Sequence, residues 1–231
     1  MPNLDFNEFI LEHDDILRDM EITCGDIIRL QEEFYTRYKK NPRIAEAIIF
    51  RCIYHYFNLK GDNIISEIQS GSLILRPEKR YPAEFGNQNL DIAILEDSKI
   101  KVGISVKMSS RTPAYLDGAD FSNPILMEKY LSYILEKQEN LAIYKEEKRR
   151  IKVPTLLQDM ARIENIQNNQ LNRFQSITII YSSKKAGDDF WVTEFNSRFQ
   201  HTFLYLKDNE HQSFFTLLEP ILSKLNRGTL I

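Results

Sequence analysis

Cysteine is nearly absent from this chain. Cys24 and Cys52 are the only two among 231 residues, too few for a disulfide framework. The four histidines (His13, His55, His201 and His211) are scattered and take no metal-ligand spacing with the cysteines, so no zinc module is expected. No apolar run approaches the ~20 residues that a membrane-spanning helix needs. The start, Met1-Pro2-Asn3-Leu4-Asp5, is acidic and carries no signal-peptide core. A cytoplasmic location with no membrane partner is therefore expected. Charge of one sign is lacking too: 30 Lys and Arg against 33 Asp and Glu leave a net charge of -3. That excludes a protein that coats nucleic acid through bulk charge. It leaves room for a site built from carboxylates with local basic clusters on phosphate. Internal repeats and low-complexity linkers are missing, and the length suits a single domain over residues 1–231.

What is present reads as an α/β chain in three parts. Residues 1–60 look mainly helical, with amphipathic segments from Phe6 and over residues 27–38. A third opens after Pro42, with Ile44, Ile48, Ile49, Cys52 and Ile53 at helical spacing. Residues 61–182 hold the expected core. Short strands fall at residues 64–68 and 72–75, a loop rich in Pro, Gly, Asn and charge spans 76–89, and an irregular stretch covers 111–124. Helices follow at 125–148 and, capped by Thr155, at 156–166; a buried strand follows at 176–181. Residues 183–231 read as strands at 190–195 and 202–206 and a closing helix at 212–225. Their aromatic residues (Phe190, Trp191, Phe195, Phe199, Phe203 and Tyr205 among them) are assigned to core or a dimer interface.

The chemistry concentrates in one hairpin. Asn89-Leu90-Asp91-Ile92-Ala93-Ile94-Leu95 and Lys101-Val102-Gly103-Ile104-Ser105-Val106-Lys107 flank the polar turn Glu96-Asp97-Ser98-Lys99. The first strand opens with an acid and the second closes in Ser-x-Lys. Thirteen residues separate Asp91 from Ser105, about one hairpin. An antiparallel pairing sets the two strand ends side by side, and alternation puts Ser105 and Lys107 on one face. A carboxylate beside an ammonium can hold a divalent metal next to a charged proton donor, as phosphodiester hydrolysis requires.

These residues resemble the PD-(D/E)xK nuclease superfamily, in which an Asp opens one strand of a hairpin and an acid-x-Lys closes the next. Here Ser105 stands where that family has an acid, and Leu90 where it often has Pro. The run Ser105-Val106-Lys107-Met108-Ser109-Ser110-Arg111 is similar to the Ser-x-Lys-x-Ser/Thr-x-Arg of restriction enzymes cutting CCGG-related sites. Those enzymes recruit an acid about a dozen residues further on. Twelve residues separate Lys107 from Asp120, although that subgroup has Glu there and a longer Asp-to-Ser spacing.

The resemblance implies a restriction-endonuclease-like fold, a central mixed sheet flanked by helices with a helical N-terminal segment. It implies a type II restriction endonuclease that cleaves double-stranded DNA as a homodimer with Mg²⁺, or Mn²⁺, as cofactor. Asp91, the Val106 carbonyl, Asp120 and the helix-borne Glu46 are the implied metal ligands. Asp117 and Glu128 compete for the role of Asp120. Ser105 and Lys107 complete the catalytic set, with Lys107 orienting the attacking water. Arg111, Ser109, Ser110, Asn87, Lys184 and Lys185 are the expected DNA contacts, with Lys79 and Arg80 as further phosphate partners. A repair or junction nuclease shares these features. So does a non-catalytic DNA-binding or protein-interaction module on a decayed nuclease fold, which the loss of an acid at Ser105 motivates.

Overall fold

The computed structural model describes residues 3–38, 40–60, 64–83, 87–110, 155–170, 173–185, 188–199 and 201–225. Helices α1 (Asn3–Glu12), α2 (Asp14–Arg18), α3 (Cys24–Arg37) and α4 (Arg43–Tyr56) come first. Strands β1 (Ile68–Ser70), β2 (Leu73–Pro82), β3 (Asn87–Glu96) and β4 (Lys99–Lys107) follow, then α5 (Thr155–Gln170), β5 (Gln175–Ile180), α6 (Asp188–Phe199), β6 (His201–Tyr205) and α7 (Phe214–Leu222). The six strands form one sheet in the order β1-β2-β3-β4-β5-β6. The first three neighbouring pairs are antiparallel and the last two are parallel. The chain is thus a mixed α/β protein: a mixed sheet flanked by seven α-helices among the described residues, with a helical N-terminal segment. No helix among the described residues is long and apolar enough to cross a membrane.

Alternation along the strands divides the core. Ile92, Ile94, Val102, Ile104, Val106, Ile177 and Ile179 join the cluster shared with α1, α3, α4 and α7. Ala93, Leu95 and Ile100 join a second cluster with Ile163 and Ile166 of α5 and Phe174. Helix α4 is buried around most of its surface because it lies between the sheet and α1–α3. The entry of α3 is fixed by a capping box: Asp26 donates its amide to the Thr23 hydroxyl, and its carboxylate accepts the Thr23 amide.

Four expectations need correction. Residues 64–67, expected in a strand at 64–68, precede β1, which runs Ile68–Ser70. Residues 76–82, expected in a loop, continue β2. Strand β1 covers only Leu73 to Leu75 of β2, so Pro77 turns its missing amide to an uncovered edge, while Pro82 stands in the last pair of the ladder with β3, where pairing ends. Residues 190–195, expected as a strand, belong to helix α6. Asp188 and Asp189 occupy its first turn, and buried Asp188, Phe195 and Phe199 recur at helical spacing. Asp91 does not open its strand: β3 begins at Asn87. The turn itself is tighter than the four polar residues suggest. Asp97 and Ser98 both take positive φ, 51° and 64°, as a two-residue type I′ hairpin requires. The expected helix at 125–148 and irregular stretch at 111–124 lie outside the described residues, as do Arg111, Asp117, Asp120 and Glu128.

Gly103 sits at the centre of the hairpin, paired with Ala93 and Ser176. A Cβ there would stand 2.7 Å from Phe174 Cε2 and 3.3 Å from Leu90 Cδ1. Gly103→Ala is expected to cost about 1–3 kcal/mol in denaturant unfolding, the scale of an overpacked core. Phe174→Leu in the same chain should recover part of that loss. A cost below about 0.5 kcal/mol for the single variant would show that the ring yields freely.

Candidate active site

The sheet opens where β3 and β4 part. Their ladder runs from Glu96↔Lys99 to Ile92↔Ile104. Beyond that point β3 stays with β2 as far as Asn87, while β4 follows β5 to Lys107↔Ile180. The Asp91 carboxylate fills the gap. Its Oδ2 accepts the Val106 amide at 2.7 Å, the Ser105 hydroxyl at 3.1 Å and Lys107 Nζ at 3.2 Å. The side chain thus satisfies a β4 amide in place of a neighbouring backbone carbonyl. Burial pushes Asp91 up, but Lys107, Arg162 and the Val106 amide outweigh it and hold the carboxyl below its ordinary range.

Ser105 and Lys107 lie on one face, as alternation requires. Lys107 Nζ donates to Ser105 Oγ at 2.8 Å and to the Val106 carbonyl at 3.2 Å. Two residues of α5, not singled out in the sequence, complete the cluster. Arg162 Nη2 donates to Ser105 Oγ at 2.6 Å and to Asp159 Oδ1 at 2.9 Å. Asp159 Oδ1 also lies 3.5 Å from Lys107 Nζ. The serine hydroxyl therefore donates once, to Asp91, and accepts from two cations, which fills its hydrogen-bonding capacity. Two carboxylates and two cations alternate around it. Asp159 shares the buried stripe of α5 with Leu156, Met160 and Ile163. An acid on that stripe is the signal that could have drawn attention to it.

A polar chain supports Asp159 from behind. Thr178 donates to Asp159 Oδ2 at 3.3 Å. The ring of His201, fully buried, spans Thr178 Oγ1 at 3.0 Å and Ser176 Oγ at 2.7 Å. Since the Thr178 proton is committed to Asp159, Nε2 of His201 carries the ring proton and Nδ1 accepts from Ser176. Burial pushes this histidine down to about 3, so it stays neutral. Ser176 and Thr178 alternate with isoleucines in β5, and that polar rhythm inside a buried strand is legible in the sequence.

On the other side, Asp91 lines a cavity of about 500 Å³ together with Glu46, Glu78, Arg43, Asn41 and Asn7. Glu46 stands in the first turn of α4. Among the described residues it has no hydrogen-bond or ion-pair partner, whereas Glu78 is paired with Arg43. Burial, then Asp91 and Glu78, push the Glu46 carboxyl up to about 7, against Lys107 and Arg43. Three carboxylates line the cavity, and Glu46, unpaired and reluctant to ionise, together with Asp91 could hold a divalent cation that would relieve both. Among the described residues no group of three or more His, Cys, Asp or Glu is placed to hold a metal. Mg²⁺ keeps several waters and takes one or two carboxylates, so carboxylates facing an open cavity are donors of the kind it uses. Asp159 is already engaged by Arg162, Lys107 and Thr178.

The expected DNA contacts are spread. Asn87 is exposed at the start of β3, four residues before Asp91, a span of about 13 Å. Lys79 and Arg80 are exposed on β2. Lys184 and Lys185 are exposed just beyond β5, at the sheet end where Lys107 lies; Lys184 is paired with Asp189 at 2.8 Å. Ser109 is half-buried. Ser110 departs from the expectation: it is fully buried and donates to Asp188. Asp188 also accepts the Lys185 amide and the Tyr205 hydroxyl, so this serine anchors the end of β4 inside the protein. Comparison with known proteins finds no matching family model, no matching curated protein and no matching solved structure.

Proposed function

We propose that this protein is a Mg²⁺-dependent endonuclease that hydrolyses phosphodiester bonds of double-stranded DNA at specific sequences, as type II restriction enzymes do. The observation that carries this reading is the placement of Asp91. It contacts Lys107 and Ser105 at the parting of two strands and shares a cavity with the unpaired carboxyl of Glu46. Asp91 and Glu46 would hold the metal, with the Val106 carbonyl, which accepts from Lys107 Nζ, as the third candidate ligand. Bound there, Mg²⁺ supplies Lewis-acid polarisation of a phosphoryl oxygen. Lys107, held beside the locus by Asp91 and Ser105, would exchange one of its three hydrogen bonds for a water or phosphoryl oxygen, and would offset charge as water attacks phosphorus and the 3′ oxygen leaves. Ser105 keeps Lys107 in place rather than binding metal, since a hydroxyl is a weak ligand for a hard cation. Cleavage of both strands of a palindromic site would draw on a second copy related by a two-fold axis.

Digestion of plasmid and phage DNA by the purified protein, with Mg²⁺ and with EDTA, tests the proposal. Discrete, metal-dependent fragments are the expected result. Failure to cut several unmethylated DNAs with Mg²⁺ or Mn²⁺ would instead favour a non-catalytic DNA-binding or protein-interaction module.

A further inference from the structure

The charges around Ser105 are already balanced without a metal. Asp91 and Asp159 each face the same two cations: Lys107 Nζ at 3.2 and 3.5 Å, and an Arg162 nitrogen at 3.9 and 2.9 Å. The two oxygens of Asp91 differ. Oδ2 takes three hydrogen bonds, whereas Oδ1 accepts none among the described residues and faces Arg162 Nη1 at 3.9 Å. Oδ1 is thus the oxygen open to a further cation, and the guanidinium stands beside it. Arg162 is also incompletely bonded. Its Nε is buried with no partner, a cost that any outward movement would relieve. The side chain is one-fifth exposed, so a path to solvent exists.

We propose that Arg162 is a built-in counter-cation that competes with the divalent metal for the Asp91 carboxylate, lowering metal affinity until the guanidinium is drawn away. This rests on the reading that Asp91 and Glu46 hold a divalent cation. An incoming phosphodiester is the group best suited to draw it away, because a guanidinium pairs with phosphate oxygens in bidentate fashion. The metal would then be held firmly only when substrate is present. Lys107 cannot play the same part, since its ammonium is fixed by Asp91, Ser105 and the Val106 carbonyl together.

Binding of Mn²⁺ to the DNA-free protein, measured by titration with electron paramagnetic resonance, tests this without any cleavage assay. Arg162→Gln and Arg162→Met are expected to bind Mn²⁺ about tenfold more tightly than wild type, a change of about 1.4 kcal/mol. Arg29→Gln, which removes an exposed cation of α3, controls for net charge and should leave affinity unchanged. The neutral pair guards against one variant failing to fold. If wild type binds and both Arg162 variants bind equally or more weakly, the competition is overturned while the metal reading stands. If neither wild type nor variant binds, both fall together.

Discussion

Asp91→Asn is expected to lower DNA cleavage by on the order of 10³-fold or more, the scale of removing a charged group from a preorganised site. The substitution is nearly isosteric. Its side-chain oxygen can still accept the Val106 amide, which Asp91 now takes at 2.7 Å. What disappears is the charge that faces Lys107 and Arg162 and the oxygen that would hold metal. Lys107 would keep Ser105 and Asp159 as partners, so the fold should survive with a loss of about 1–3 kcal/mol. Melting curves alongside the cleavage assay separate the two effects. Lys107→Met should give a comparable loss of cleavage by a different route: the carboxylates remain and the donor goes. Metal titration then distinguishes them, because Asp91→Asn should weaken Mn²⁺ binding and Lys107→Met should not. Cleavage by Asp91→Asn within tenfold of wild type, in a folded protein, would remove this residue from the reaction.

The hairpin is legible in the sequence because its signals are local. Apolar alternation, two turn residues able to take positive φ, and a lysine at the strand end all lie within about twenty residues. Helix α4 is legible for the same reason: Pro42 starts it and isoleucines recur at its spacing. The rest of the site depends on long-range packing. Asp159 and Arg162 lie more than fifty residues beyond Lys107 in sequence, and only the seating of α5 against β3 brings them to Ser105. Nothing local marks Asp159 as a neighbour of Lys107, although its place on a buried stripe marks it as unusual. The resemblance places the recruited acid about a dozen residues beyond Lys107, at Asp120, whereas Asp159 reaches the lysine from a helix much further along the chain. The errors in strand assignment have physical causes as well. Pro77 and Pro82 read as breakers, yet the part of β2 that β1 leaves uncovered tolerates the first, and the end of the ladder with β3 tolerates the second. The aromatic run from Phe190 has high strand propensity, which the acidic first turn of α6 and its buried positions at helical spacing override.

Replacing His201 should change how stability depends on pH more than any other single substitution of a buried polar group here. The ring is fully buried, and burial pushes its pKa down to about 3, against about 6.5 in an unfolded chain. Its folded value is depressed, so the native state refuses a proton that the unfolded state accepts. The histidine therefore contributes nothing unfavourable above pH 6.5. Below that, stability falls by about 1.4 kcal/mol per pH unit until pH nears 3, a total of about 5 kcal/mol. That is comparable with the whole stability of many domains. Glu46 acts in the opposite direction, because its carboxyl is raised to about 7 and the folded state gains by protonation as pH falls from there. The wild-type curve alone thus mixes two slopes of opposite sign, and the informative quantity is the difference between wild type and variant. His201→Gln removes the titration but keeps a polar side chain between Ser176 and Thr178. At pH 7.5 it should be less stable than wild type, through lost packing and hydrogen bonds. Between pH 6.5 and 4.5 the gap should close by about 2 kcal/mol, read from urea unfolding at each pH. A gap that stays constant over that range would mean that His201 takes up its proton in the folded state. The hydrogen bonds linking it through Thr178 to Asp159 would then have to rearrange on acidification, and the support behind the acid cluster would not be the fixed neutral chain that its burial implies.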